Sequence, residues 1–255
     1  MSDLSGTMTI VTGGAGRLGG AIVARLLSAG GKVAAFDLAP PDRPARDGLL
    51  WLAADVTDPA SVRTAFDEAE RALGPIDGLV NAHGIDPNVQ LVDMTLEDWD
   101  LPFRVNTLGT ALTMQAAARR WIARGAPGAI VNLSSGAAPS PRSGGVHYAA
   151  SKAAVDALTA GAAIELGPHG IRVNALAPGL VLDPASDGPE KYAHPYVEFT
   201  RRSTPLGRLG VPDDIASAVL FLLSGSASWI TGSVVQIDGG QNSGRTLAPI
   251  TGKDL

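Results

Sequence analysis

MTIVTGGAGRLGG, residues 8–20, is the stretch that decides the fold. Met8–Thr12 is a short apolar and β-branched run, the pattern of a strand buried on both faces. Thr12-Gly13-Gly14-Ala15-Gly16-Arg17-Leu18-Gly19 follows directly and opens a helical pattern over residues 18–29, which Gly30-Gly31 ends. Glycines between a strand and a helix permit a tight turn and a close backbone approach to a pyrophosphate. The helix N-terminus adds N–H donors and the positive end of its dipole. In a chain with 31 glycines a glycine-rich stretch alone says little; its position between strand and helix gives it weight.

Outward from that turn, short apolar runs alternate with helical patterns along almost the whole chain. Further strands are expected at 32–36, Leu49–Ala53, Gly78–Asn81, 129–134, 172–177 and 234–238, and further helices at Pro59–Leu73, 96–124, 148–166 and Pro212–Leu223. Such alternation predicts an α/β fold: a single Rossmann-type, doubly wound parallel sheet of about seven strands with helices on both faces. With no internal repeat or linker, residues 1–255 read as one dinucleotide-binding and catalytic domain. Two segments break the rhythm. Residues 183–203 are polar with three prolines, and read as an irregular, lid-like insertion. Residues 241–255 read as a frayed C-terminal tail.

Composition sets bounds. At 255 residues and 45% hydrophobic the chain can bury a full core. Net charge is -5 with scattered Lys and Arg, so no nucleic-acid or anionic-membrane surface is expected. The absence of cysteine excludes disulfides, thiol catalysis and cysteine-ligated metal. No His or carboxylate cluster has metal-ligand spacing, and no metal is expected. Met1-Ser2-Asp3-Leu4 lacks the basic and apolar regions of a signal peptide, and no apolar run approaches the roughly 20 residues that span a bilayer. The expectation is a soluble cytoplasmic protein.

Polar residues gather at the predicted strand ends. Asp37 follows the second strand, where an acid can accept both hydroxyls of an adenosine ribose and would repel a 2′-phosphate. Asp55 ends the third strand, and Asn81-Ala82-His83-Gly84 the fourth. His83 reads as a packed or solvated turn histidine. Ser135 follows the fifth strand; Tyr148 comes thirteen residues later and Lys152 four after that. Four residues apart on a helix is one face. An ammonium beside a phenol pulls its pKa down from about 10 and makes it a proton donor and acceptor near neutral pH.

In this order and spacing the chain resembles a short-chain dehydrogenase/reductase over roughly residues 7 to 240. The matching features are the glycine-rich turn, Asp55, Asn81-x-x-Gly84, Asn106 in Arg-Val-Asn, Ser135, Tyr148-x-x-x-Lys152, Pro178-Gly179 and the late segments 205–216 and 238–240. The resemblance implies that Tyr148 is the acid/base on the substrate oxygen and that Lys152 lowers its pKa and holds the nicotinamide ribose. Ser135 would polarise the carbonyl, and Asn106 would anchor a proton-relaying water. It further implies cofactor contacts from Gly13, Gly16, Arg17, Leu18, Gly19, Asp37, Asp55, Val56, Asn81, Pro178 and Val181, and a homo-oligomer, with a tetramer most usual. Three departures stand out: Arg17 replaces the second family glycine, Ala82-His83 interrupts the commoner Asn-Asn-Ala-Gly, and Asp183 replaces a frequent threonine. The expected activity is NAD-dependent hydride transfer on a secondary alcohol or ketone. Alternatives are an NADP-linked reductase, for instance of 3-oxoacyl thioesters, and a catalytically silent cofactor-sensing protein. Besides Ser135 and Tyr148, Tyr192 and His194 of the lid are the expected substrate contacts; alcohol, ketone, sugar and polyol remain open.

Overall fold

A computed structural model of the chain describes residues 4–41 and 47–244. Seven strands form one sheet in the order β3-β2-β1-β4-β5-β6-β7, every neighbouring pair parallel. They are β1 Met8–Thr12, β2 Lys32–Asp37, β3 Leu49–Ala53, β4 Gly78–Asn81, β5 Gly128–Leu133, β6 Ile171–Pro178 and β7 Val234–Ile237. Alternate side chains leave opposite faces, and both faces are covered. Ile10, Ala34, Leu79, Ile130 and Val173 meet α2 (Pro59–Leu73), α4 (Gly109–Arg124) and α5 (Val146–Leu166) through Phe66, Met114, Trp121 and Ala163. Val11, Val33, Val80, Val131 and Leu176 meet α1 (Arg17–Ser28) and α8 (Pro212–Leu223) through Ile22, Leu26, Ile215 and Val219. The order reverses between β1 and β4, and the crevice beyond their carboxyl ends is where such sheets bind ligands.

Two anchors show how local chemistry sets the helices. Asp58 caps α2 by accepting from the Ala60 and Ser61 amides, with Pro59 in the first-turn position that needs no donor. Trp121, fully buried, donates to the Ile76 carbonyl at 2.7 Å, and its ring lies so close to Gly128 that a Cβ there would sit 2.4 Å away. No helix among the described residues is long and apolar enough to cross a membrane.

Two expectations need correction. Residues 96–124 are not one regular helix: α3 (Leu96–Pro102) passes through a π-helical turn, Phe103–Leu108, into α4. Pro102 has no N–H to give to the helical ladder, and the widened turn after it carries Asn106. The insertion at 183–203 is not irregular either. It holds α6 (Pro189–Tyr192) and α7 (Pro195–Ser203), and two of its three prolines, Pro189 and Pro195, are the first residues of these helices.

Candidate active site

Three adjoining cavities run along the carboxyl edge of the sheet. The first, about 500 Å³, is lined by the glycine turn (Gly13, Gly16), Asp37, Asp55, Val56 and His83. It shares residues 82–85 with a second of about 290 Å³, lined by Arg17, Leu18, Ser135, Tyr148, Lys152, Pro178 and Val181. The second shares Ser135, Pro178, Gly179 and Leu180 with a third of about 140 Å³, which Ser140, Arg142, Tyr196 and Asn242 help to line.

The first cavity fits the adenosine and phosphate end of a dinucleotide. Gly16 caps α1 without a side chain and no acid stands in the first turn, so among the described residues no side chain caps the helix's first donors. Gly13 has φ +65, and a Cβ on it would lie 2.6 Å from the His83 Cα; a Cβ on Gly19 would lie 2.0 Å from the Gly13 carbonyl oxygen. Gly19 therefore lets helix and turn close together rather than lining a cavity. The Ala15 amide donates to Asp37 at 3.0 Å, which fixes the carboxylate at the cavity rim. Asp55 orders its own turn by accepting from the Thr57 amide and hydroxyl.

Two cofactor expectations shift. Asn81 lines neither cavity: buried at 1% exposure, it donates to Asn132 and accepts from Thr113 at 2.7 Å inside the sheet. Arg17 lines the second cavity, whereas Asp37 lines the first. Its guanidinium pairs with Asp187 of the insertion at 2.8 Å, and Asp187 also pairs with Lys191 and accepts from the Asp183 amide. Those contacts hold the Asp187 carboxyl low, at about 2. Asp183 ends in a local turn, accepting from Ala185 and Ser186.

In the second cavity Ser135, Tyr148 and Lys152 converge from β5's end and α5. Lys152 is fully buried, its ammonium donating to the Leu133 carbonyl at 2.8 Å and standing 6.0 Å from the centroid of the Tyr148 ring. Burial pulls Lys152 down to about 8. The expected lowering of the Tyr148 phenol is not what the structure shows: burial raises it, and hydrogen bonding to Ser135 only opposes that. Lys152 is engaged by main chain rather than by the phenol. Asn106, also fully buried, accepts from the Ile85 amide at 2.9 Å and donates to the Ile85 carbonyl and to Ser151. A Cβ on Gly84 would meet Asn106 Oδ1 at 3.2 Å and Lys152 Nζ at 3.3 Å, so glycine there lets the two groups share one wall. His83 packs beneath, its Nδ1 2.6 Å from Thr12 Oγ1, and burial lowers it to about 3; it is a neutral structural group.

The substrate side differs most from expectation. Tyr192 and His194 line none of the three cavities; His194 is exposed and caps α7, accepting from the Tyr196 amide, and Tyr196 lines the third cavity instead. The first residues of the expected frayed tail are docked: Asn242 lines that cavity and donates to the Gly136 carbonyl at 3.3 Å. Residues 245–255 of that tail lie outside the described residues. Sequence reading also missed Asp86 and Arg142, an ion pair at 2.6 Å joining the loops after β4 and β5 beside Tyr148. Their only sequence signal is that both follow strands whose carboxyl ends are adjacent.

Comparison with known proteins agrees with this architecture. A family model described as enoyl-(acyl carrier protein) reductase matches residues 14–242. The human (3R)-3-hydroxyacyl-CoA dehydrogenase is 34% identical over 93% of this chain and 96% of its own. The D-threitol dehydrogenase of Mycolicibacterium smegmatis is 36% identical over 93% of each. A solved short-chain type dehydrogenase/reductase from Mycobacterium marinum superposes with a TM-score of 0.83 at 32% identity, covering 95% of this chain and 97% of that one. Sheet order, glycine turn and near full-length similarity together make this chain a member of the short-chain dehydrogenase/reductase family, oxidoreductases that use nicotinamide cofactors.

Proposed function

We propose that the protein is an NAD-dependent dehydrogenase/ketoreductase that interconverts a secondary alcohol and its ketone, with Ser135, Tyr148, Lys152 and Asn106 as the reacting set. The observation that carries this reading is the meeting of Ser135, Tyr148 and Lys152 in one cavity that opens onto the cleft of Asp37 and the glycine turn. Gly13, Gly16, Leu18, Asp37, Val56, Pro178 and Val181 would hold the dinucleotide, which supplies or accepts the hydride when bound. Ser135 orients the substrate oxygen toward the Tyr148 hydroxyl. In alcohol oxidation Tyr148 takes the hydroxyl proton as hydride leaves the carbinol carbon; in ketone reduction it returns the proton. Lys152 and the Asn106 wall behind it carry that proton onward. α7 with Tyr196 shields the reacting atoms from water. Asp37 favours NAD over NADP, and the apolar surface left on α3 to α5 suits a homo-oligomer.

Tyr148→Phe tests the chemistry. It removes the transferable proton and little else, so turnover should fall at least about a thousandfold. NADH affinity, followed by fluorescence titration, should stay within roughly threefold. Near-normal turnover in this variant would overturn the assignment.

A further inference from the structure

We propose that the substrate is a small, neutral, hydroxyl-rich molecule, a polyol or sugar, and that the Asp86–Arg142 pair reads the hydroxyls beside the reacting carbon. The inference rests on the function proposed above and names the substrate of that same site.

The pair stands where the catalytic cavity meets the third cavity. Asp86 lines the former and Arg142 the latter, and both are close enough to Tyr148 to act on its phenol. Arg142 Nη2 lies 2.6 Å from both Asp86 oxygens, while the two side chains keep 37% and 46% of their surface exposed. A pair held this way presents, side by side, carboxylate lone pairs and guanidinium donors. Neighbouring hydroxyls of a polyol answer both, each donating a hydrogen bond to the carboxylate and accepting one from the guanidinium. Ser140, Gln241 and Asn242 extend the polar wall beyond the pair, and the Tyr196 ring supplies an apolar side for the C–H face of a carbohydrate.

Charge balance argues against the other substrate classes. Among the described residues lining the catalytic and third cavities, the two arginines are already paired, Arg17 with Asp187 and Arg142 with Asp86, and Lys152 is buried against main chain. A carboxylate or phosphate substrate would have to compete with Asp86 for Arg142 and then face Asp86 itself. A hydrocarbon or acyl chain in a cavity of about 140 Å³ would strip water from Arg142, Gln241 and Asn242 without replacing their hydrogen bonds. A site built to bond hydroxyls rejects analogues lacking them.

In the oxidative direction the carbinol C–H bond breaks with its electron pair passing as hydride to the oxidised nicotinamide. The O–H proton passes to Tyr148, and the products are ketone, reduced nicotinamide and one proton. The test uses the full chain with NAD⁺ and three substrate groups: four- to six-carbon polyols and aldoses, simple secondary alcohols of similar size, and 3-hydroxybutyryl-CoA. At least one polyol or aldose should exceed every member of the other groups in kcat/KM by about a hundredfold or more. Arg142→Leu, and the charge-balanced Arg142→Leu/Asp86→Leu double variant, should shrink that ratio at least about tenfold, mainly through KM. The double variant, checked for fold by circular dichroism, guards against an effect of one unpaired charge. A preference for simple alcohols or the thioester overturns this inference and leaves the proposed function standing. An unchanged ratio in the folded double variant overturns the role of the pair. Turnover of none of the three groups overturns both.

Discussion

Replacing Asp37 by serine removes a carboxylate that lines the 500 Å³ cleft and is oriented by the Ala15 amide at 3.0 Å. With the carboxylate present, an adenosine 2′-phosphate placed there would bring about 1.5–2 negative charges beside it. At roughly 4 Å and an effective dielectric near 20, each unit charge meets a repulsion of about 4 kcal/mol. The cleft is open to water, which screens much of that, and a surviving penalty near 2.7 kcal/mol corresponds to a hundredfold. Asp55 on the same cleft adds charge of the same sign, and among the described residues no Arg or Lys lines it. Arg17, the natural counterweight, lines the neighbouring cavity and is held by Asp187. Wild type should therefore favour NAD over NADP by about a hundredfold or more in kcat/KM. Asp37→Ser should lower kcat/KM for NAD by about ten- to a hundredfold, the worth of a charge-assisted bond to the ribose, with a much smaller change for NADP. Initial rates with both cofactors on one alcohol, paired with calorimetric affinities, measure it. Wild type using NADP as readily as NAD, or an unaltered ratio in Asp37→Ser, would refute the placement of Asp37 at the ribose.

Four further outcomes are expected. Oxidation should speed up as pH rises through a window around 8, because Lys152, lowered to about 8 by burial, must lose its proton before it can carry onward the one that Tyr148 takes from the substrate; a flat profile with hydride transfer shown to be rate-limiting would contradict this. The same lowering means the folded chain binds fewer protons than the unfolded chain between about 8 and 10.4, so Lys152 adds stability as pH rises across that span, a trend that denaturant titration at several pH values would check. Arg17→Gly cuts the link between glycine turn and insertion, and amides of residues 183–203 should exchange up to about fivefold faster, equivalent to ~1 kcal/mol for a half-exposed ion pair; identical protection would show that Arg17 does not hold the insertion. Leu96 and Ile164 are 77% and 79% exposed, and a side chain at Gly161 would meet nothing within 4 Å, so these helices should associate, most simply as a tetramer; a sedimentation mass equal to the 26.0 kDa chain at micromolar concentration would refute it.

How far the sequence could be read depended on the distance over which each feature is decided. The strands came out within a residue or two at either end because burial on both faces writes itself as a local apolar run. The glycine turn and the Tyr148–Lys152 spacing were legible for the same reason: each is a short-range geometric requirement. Pro189 and Pro195 misled because proline interrupts a helix only from its second turn onward; at the first position it starts one, and residue type alone does not tell the two apart. Pro102 misled in the opposite sense, since the apolar periodicity continues through it while the hydrogen-bond ladder does not. Asp86 and Arg142 are 56 positions apart and meet only because β4 and β5 are neighbours. No local pattern marks them. Charge state is set over the longest range. Spacing correctly brought Lys152 near Tyr148, yet whether an ammonium lowers a phenol depends on what else surrounds both groups. Here the end of β5 offers Lys152 a carbonyl, while α5 and the flanking loops bury the phenol. Desolvation then outweighs the pairing that the i, i+4 spacing suggested, and burial makes the Tyr148 phenol hold its proton more tightly than a solvated phenol does.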